Sequence, residues 1–371
     1  MALTYIAGSS ATYYNMLNIH PLMKDNKFNA PARNLFRNNT LIEDAIVQQA
    51  NETMGHTGSF QSTMASGEVI KVGGYRSATT ASWGTFREGI SIFSDASMVP
   101  KDLADLNGLA WLGEEEATKI NGFGQFCENS LMYATAGLTP DTAVISGTST
   151  TATVKAQNFD GLACRFRTPD NGGTPYDALT PDPATAAQKG VYDAGGTGTT
   201  TTSIWFIRWG RRAASLITPI NDPQYGLKME DLGLQLERTH NTSTGLPSTY
   251  RRTYMKEYEW KFGLCLYPGE NQGNHVARIR NIDTALTTNN AALKTTIMQV
   301  IREYFNSDTE GLRIYVPARI MTILDVLFEA KSNVLFTTDN PYKQSPETWA
   351  GKIFIRQTRA ISERETAVTA V

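Results

Sequence analysis

The chain has 371 residues, with 34 Lys and Arg against 36 Asp and Glu, a net charge of −2. Its length suits two or three domains and a sizeable core. Its 30 Gly and 15 Pro, about 12% of the chain, exclude a collagen-like or wholly disordered polypeptide, and the absent basic excess excludes tight phosphate-mediated grip on DNA.

Residues 1–55 read as an arm rather than a compact domain. Within 1–40, Lys24, Lys27, Arg33 and Arg37 stand against Asp25 alone. Such a segment is either a poorly ordered terminus or an arm that orders on a neighbouring subunit. Leu41, Ile42, Ile46 and Val47 predict one helix of about three turns there. Residues 58–93 change character. Val69, Lys71 and Tyr75 flank Gly73-Gly74, and Phe86, Ile90 and Ile92 alternate with Arg87 and Ser91. This predicts a long two-stranded ribbon. A lone hairpin is marginal in water, so it is either a flexible surface loop or a β-arm laid on another copy.

Leu103, Leu106, Leu109, Leu112, Ile120, Phe123, Cys127, Leu131 and Ala134 recur on one helical face, predicting a long helix over 103–136. Gly108, Gly113, Gly122 and Gly124 each oppose it by ~1 kcal/mol against Ala. Glu114, Glu115 and Glu116 favour the positive end of the helix dipole, and Glu115 has Lys119 at i,i+4. They read as a solvated face rather than a metal site. Gly-, Pro- and Thr-rich stretches between 145 and 202 read as loops. Residues 203–210 form a compact strand. Tyr254, Tyr258, Trp260, Phe262, Leu264 and Leu266 share one parity of a long strand. The turn 268–274 then predicts a long antiparallel hairpin with 275–283. The last segment alternates helix (Leu293 to Tyr304), strand (312–317), helix opened by Pro317, and strand (351–358), like a small globular domain.

Catalytic patterns are missing from the sequence. The 195–203 glycines lack the Lys of a phosphate loop, and 122–128 lacks the third Gly of a dinucleotide fingerprint. There is no H-E-x-x-H, C-x-x-C or G-x-S-x-G. Cys127, Cys164 and Cys265 are too far apart for a disulfide framework or zinc knuckle and suit a reducing compartment. His20, His56, His240 and His275 lack metal-ligand spacing; a Cys164–His240 dyad is open only to geometry. Arg208, Arg211 and Arg212 beside Trp205 and Trp209 mix charge and rings as single-strand binders do, or are a strand end with solvated arginines. The N-terminus lacks a basic, then apolar, leader, and no apolar stretch reaches the ~18 residues of a membrane span. Catalytic, cofactor and metal residues are therefore assigned to none. The positive sign is architectural: an arm, a ribbon, a long helix and a long hairpin offer more edges than one copy covers.

The order of these segments resembles the major capsid proteins of tailed double-stranded-DNA bacteriophages, with the HK97-type α+β fold, in a podovirus-type branch of permuted topology. The residues that carry it are Gly161-Leu162-Ala163-Cys164-Arg165, Ser203 to Gly210, Gly226 to Gly233, Tyr258, Trp260, Gly263 and Leu264, and Val276 to Asp283. The resemblance implies a division into an N-terminal arm (1–55), an extended β-hairpin or E-loop (56–97), and a spine helix with peripheral domain (98–167). A Gly/Thr/Pro-rich insertion (168–202), an antiparallel sheet with a long hairpin (203–285) and an axial domain (286–371) follow. It implies no cofactor and no enzymatic activity. It implies self-assembly through homo-hexamers and pentamers into an icosahedral head, with portal, scaffolding and decoration or cement proteins as partners. Packaged double-stranded DNA would be contacted weakly and non-specifically, and no membrane is involved. The chain is expected in the virion capsid, and in the host cytoplasm during assembly. Inter-subunit contact candidates are Arg33, Arg37, Lys71, Tyr75, Trp83, Arg87, Glu115 and Lys119. Lys71 is also a possible equivalent of the Lys that crosslinks subunits in some relatives. The rival expectations are the shell of a cargo-filled nanocompartment, another virion component, or a cytosolic α/β enzyme with long loops.

Overall fold

The computed structural model describes residues 39–63, 72, 82–134, 159–166, 190–240, 247–267, 275–283, 290–305, 310–329, 348–349, 353–365 and 367. Arg33, Arg37, Lys71, Tyr75 and residues 168–189 lie outside them, as does the predicted turn 268–274.

Strand β6 (Thr201–Arg208) is buried along nearly its whole length, which requires cover on both faces. It sits inside a six-stranded sheet of order β12-β13-β11-β6-β10-β5. The others are β5 (Val191–Asp193), β10 (Val276–Asp283), β11 (Leu312–Val316), β12 (Thr348–Trp349) and β13 (Ile353–Gln357). One face turns Ile204, Phe206, Ile279 and Ile314 toward α4 (Asn290–Gln299, continued by a π-helical turn, Val300–Tyr304) and α5 (Ala318–Glu329). The opposite face turns Trp205, Ile207, Val276 and Tyr315 into a core shared with α1 (Thr40–Asp44), α2 (Lys101–Tyr133) and α3 (Leu162–Arg165). Between β11 and its parallel neighbour β13 runs α5, so the terminal segment is the βαβ rhythm expected.

The second sheet is built on β9 (Pro247–Leu266), twenty residues and about 66 Å of strand. β4 (Ser91–Pro100), β7 (Ala214–Thr218) and β8 (Leu227–His240) pair with it antiparallel, and β1 (Val47–Gln49) adds parallel to β7. Phe93 stacks on Phe262 with ring centroids 4.4 Å apart, below α2. At 33 residues, α2 is about 50 Å long, close to the predicted span. A third, two-stranded sheet joins β2 (Gly55–Thr63) to β3 (Ser82–Gly89).

Four sequence expectations are corrected. The hairpin partner of β9 is β8, not 275–283; β10 instead pairs β6 and β5 in the other sheet. Segment 203–285 therefore divides between two sheets. The helix over 41–47 is only Thr40–Asp44, because Ala45 turns extended and Val47–Gln49 is held by β7. The ribbon ends at Gly89; residues 91–100 belong to the second sheet, opposite β9. The end of the presumed insertion is structural, since Val191–Asp193 pairs with β10 and Thr201 and Thr202 begin β6.

Candidate assembly interface

The ribbon β2–β3 is held at its root by rings and charge. Gly58 lies opposite Phe86 and Gly84 opposite Phe60, so each ring covers the bare backbone of a facing glycine. A Cβ on Gly58 would run into the Phe86 ring. Phe86 also meets Tyr267 edge-on at 5.0 Å, and His56 Nε2 lies 3.0 Å from the Tyr267 hydroxyl. Burial lowers the His56 pKa, so this contact favours the neutral ring. Beneath it, Glu88 of β3 is almost fully buried and takes a two-pronged ion pair from Arg165 of α3, at 2.5 and 2.8 Å. Arg165 Nε donates to the Asp160 carbonyl at 2.7 Å. A buried fork of this kind fixes direction as well as position.

The root is thus rigidly seated while the outward part presents a ring to solvent: Trp83 is 66% exposed. Arg87 is exposed and pairs with Glu52 at 2.9 Å within the same chain. On α2, Glu115 is half-buried and Lys119 exposed, and they do not form the expected pair; the acidic run instead sends Glu116 to Lys256 of β9, at 2.7 Å. Sheet packing decided that choice, since the Lys256 ammonium projects from the strand against which α2 lies.

Sequence periodicity placed Leu103 and Leu106 inward with the rest of the α2 face. The structure leaves both exposed, Leu106 at 82%. Counting back from Leu131 in steps of four and three, the apolar stripe runs through Cys127, Gly124, Ile120, Ala117 and Gly113 to Leu106. Leu131, Cys127 and Ile120 are buried in the core, but the stripe continues past the end of that core. The same holds on β8. Leu234 is opposite Tyr254 and Leu236 opposite Arg252, the parity that carries Tyr258 and Trp260 inward, yet both leucines are exposed. Periodicity marks which face is apolar, not whether the same chain covers it.

A second ionic centre ties the layers together. Arg278 of β10 and Glu365 are fully buried and meet at 2.7 Å. Arg278 also donates to Ser203 Oγ at 2.9 Å and to the Phe166 carbonyl at 2.8 Å, and its guanidinium lies 4.8 Å from the Trp205 ring centre. The hydroxyls of Ser203 and Tyr133 hydrogen-bond to Glu365. One carboxylate thereby joins the end of α2, both central strands and the C-terminal segment. Among the described residues, no cluster of three or more His, Cys, Asp or Glu is placed to hold a metal ion.

Trp83, Leu103, Leu106, Leu234 and Leu236 thus leave apolar and aromatic surface uncovered in the single chain. The profile of the family described as major capsid protein GP7 matches residues 24–369. The chain belongs to this family. A solved structure of bacteriophage Epsilon15 is 20% identical, covers 88% of each chain and superposes with a TM-score of 0.57, a likeness of fold. The bacteriophage JBD30 procapsid (11% identical, 90% of this chain and 97% of that one, TM-score 0.40) and capsid (7%, 97% and 99%, 0.41) are more distant. No curated protein matches the chain. The molecule is accordingly a structural shell protein of a tailed-phage capsid, with a mixed α+β HK97-like fold.

In this capsid protein the motifs that carried the resemblance have physical reasons. A Cβ on Gly161 would strike the backbone of Met132 and Ala134 at 2.7–2.8 Å, where α3 docks on the end of α2. Leu162 and Ala163 enter the core, and Arg165 holds Glu88. Gly226 takes φ +80° with the Lys261 carbonyl too close for any side chain. In 276–283, Arg278 is the buried cation described above, and Asn281 takes φ +56° at an irregularity in the β6–β10 ladder.

Proposed function

We propose that the chain is a non-enzymatic shell subunit whose uncovered apolar faces are completed by neighbouring copies in hexamers and pentamers. The ribbon of residues 55–89 acts as the E-loop, reaching over a neighbour with Trp83 on its exposed part. α2 acts as the spine, residues 286–371 as most of the axial domain, and the segment before residue 39 as an arm carrying Arg33 and Arg37 to another subunit, since residues 39–50 are built into the subunit's own core and second sheet. Lys71, Tyr75, Arg87, Glu115 and Lys119 are further contact positions. Portal, scaffolding and decoration proteins join the copies during assembly in the host cytoplasm. The near-neutral charge supports only weak, non-specific contact with packaged DNA.

The observation that carries this reading is Leu106, on the inward stripe of α2 and 82% exposed in the single chain. An apolar stripe continued past its own core is what a subunit interface needs. The test is to express Leu106→Asp with the phage assembly proteins and image the products by cryo-electron microscopy. The expected outcome is folded, unassembled subunits or capsomers with an unchanged melting temperature. Closed shells at wild-type yield would overturn the reading.

A further inference from the structure

We infer that Glu128 is a proton-operated latch between α1 and the spine helix α2, closing more firmly when its carboxyl is protonated. The inference concerns contacts within one chain and does not rest on the assembly reading.

Glu128 points from the inward side of α2 and is 3% exposed. Its Oε1 accepts the backbone N–H of Leu41 at 2.7 Å, in the first turn of α1. The Thr40 and Thr358 hydroxyls also face it and favour the carboxylate; Asp44 of α1 adds repulsion. Among the described residues no Lys, Arg or His lies within ion-pairing distance of it. The neighbouring cations are already engaged. Arg356 of β13 forks onto Glu43 at 2.8 Å and onto both oxygens of Asp44 at 3.1 Å, and Arg313 of β11 lies 3.9 Å from Asp44. Tyr315 donates to Asp44 at 2.9 Å and itself accepts from Trp209 at 2.7 Å. So α1 is attached to the six-stranded sheet through compensated charge, and to α2 through one uncompensated buried carboxyl.

Burial outweighs the hydrogen bonds and raises the Glu128 pKa from 4.5 to about 7. The sign follows by linkage. The docked state binds the proton more tightly than the undocked one, so docking is firmest below 4.5 and weakens as pH rises through about 7. Despite burial, the neighbouring Asp44 and Glu43 raise the Arg356 pKa, so it keeps its charge throughout this window. Rising pH therefore loosens α1 from the spine while leaving it on the sheet, a hinge at the point where residues 1–38 join the body.

The test is hydrogen exchange by mass spectrometry on the unassembled full-length subunit, following a peptide over 39–46 between about pH 5.5 and about pH 8.5. After correction for intrinsic exchange and for a reference peptide over 201–208, linkage predicts about a 30-fold rise in opening. In Glu128→Gln the corrected opening is expected to stay low and flat across the range. Equal slopes in variant and wild type would overturn the latch. A flat wild-type profile would overturn it as well, whether or not the variant folds.

Discussion

Arg278 and Glu365 are buried at the junction of both central strands, the end of α2 and the C-terminal segment, so each is the opposite charge that compensates the other, with the neutral hydroxyls of Ser203 and Tyr133 and the Phe166 carbonyl completing the shell by hydrogen bonds. Truncating one leaves a charge stranded. Arg278→Met is expected to destabilise the unassembled subunit by about 3–5 kcal/mol. Glu365→Gln keeps an acceptor for Ser203 and Tyr133 but strands the guanidinium, with a comparable loss; a double change to Met and Leu is expected to recover part of it. Chemical denaturation of the three variants checks this order. His275 yields a second expectation, with the sign opposite to that of Glu128. Burial and the nearby Arg208 push its pKa from 6.5 to about 4, so the folded chain binds this proton less well than the unfolded one. Stability present above 6.5 is lost as pH falls toward about 4, by up to about 3 kcal/mol. The melting temperature of His275→Gln should therefore fall less steeply over that window than that of the wild type.

The ribbon root shows how one element is stabilised without a core of its own. Two glycines buy close approach for Phe86 and Phe60, and the rings cover the backbone that glycine leaves bare. Gly58→Val is expected to drive Phe86 off its seat at a cost of about 1–3 kcal/mol. The loss should appear as faster exchange in β2 and β3, with the six-stranded sheet unchanged; equal acceleration in both would contradict it. Sequence periodicity foresaw the elements that bury a continuous face: β6, β11, α5, β13 and the length of α2. It failed where pairing is chosen at a distance. β9 was paired with the next strand because a turn signal lay between them, but its 254–266 face matches β4 and β8, and β8 was masked by Lys228, Glu230 and Asp231 on a half-solvated ribbon. Val191–Asp193 was unreadable because three residues carry no period. The candidate surface was only half legible. A ribbon, with one strand through Phe86, was in the pattern; its partner Gly55–Thr63 was not, the predicted Val69–Tyr75 stretch lies outside the described residues, and Glu88–Arg165, 77 residues apart, has no local spacing to betray it. Leu106 was named but placed on the wrong side of the surface, since a heptad step is silent about which chain supplies the cover.

At the scale of the subunit, the described core is closed around α2 and the two sheets and takes in the ribbon root through Phe86 and Glu88, while Trp83 on the ribbon and Leu103 and Leu106 in the first turns of α2 lie beyond it. Folding and assembly are therefore expected to separate on mutation. Replacing residues 62–82 by Asn-Gly joins the strands by a two-residue turn suited to a hairpin. The change retains Phe60, Phe86, Glu88 and Arg165, which seat the root. The shortened subunit should melt within a few degrees of the wild type, because none of the buried charges or core residues among the described residues is removed. If the ribbon works only within its own chain, shells should still close at normal yield. If it is the arm that clasps a neighbour, the product should stall as soluble capsomers, and adding wild-type subunits should rescue closure only in proportion to their share. Negative-stain counting of shells against that ratio distinguishes the two, since a clasp that is missing from one subunit leaves a gap in every ring it joins.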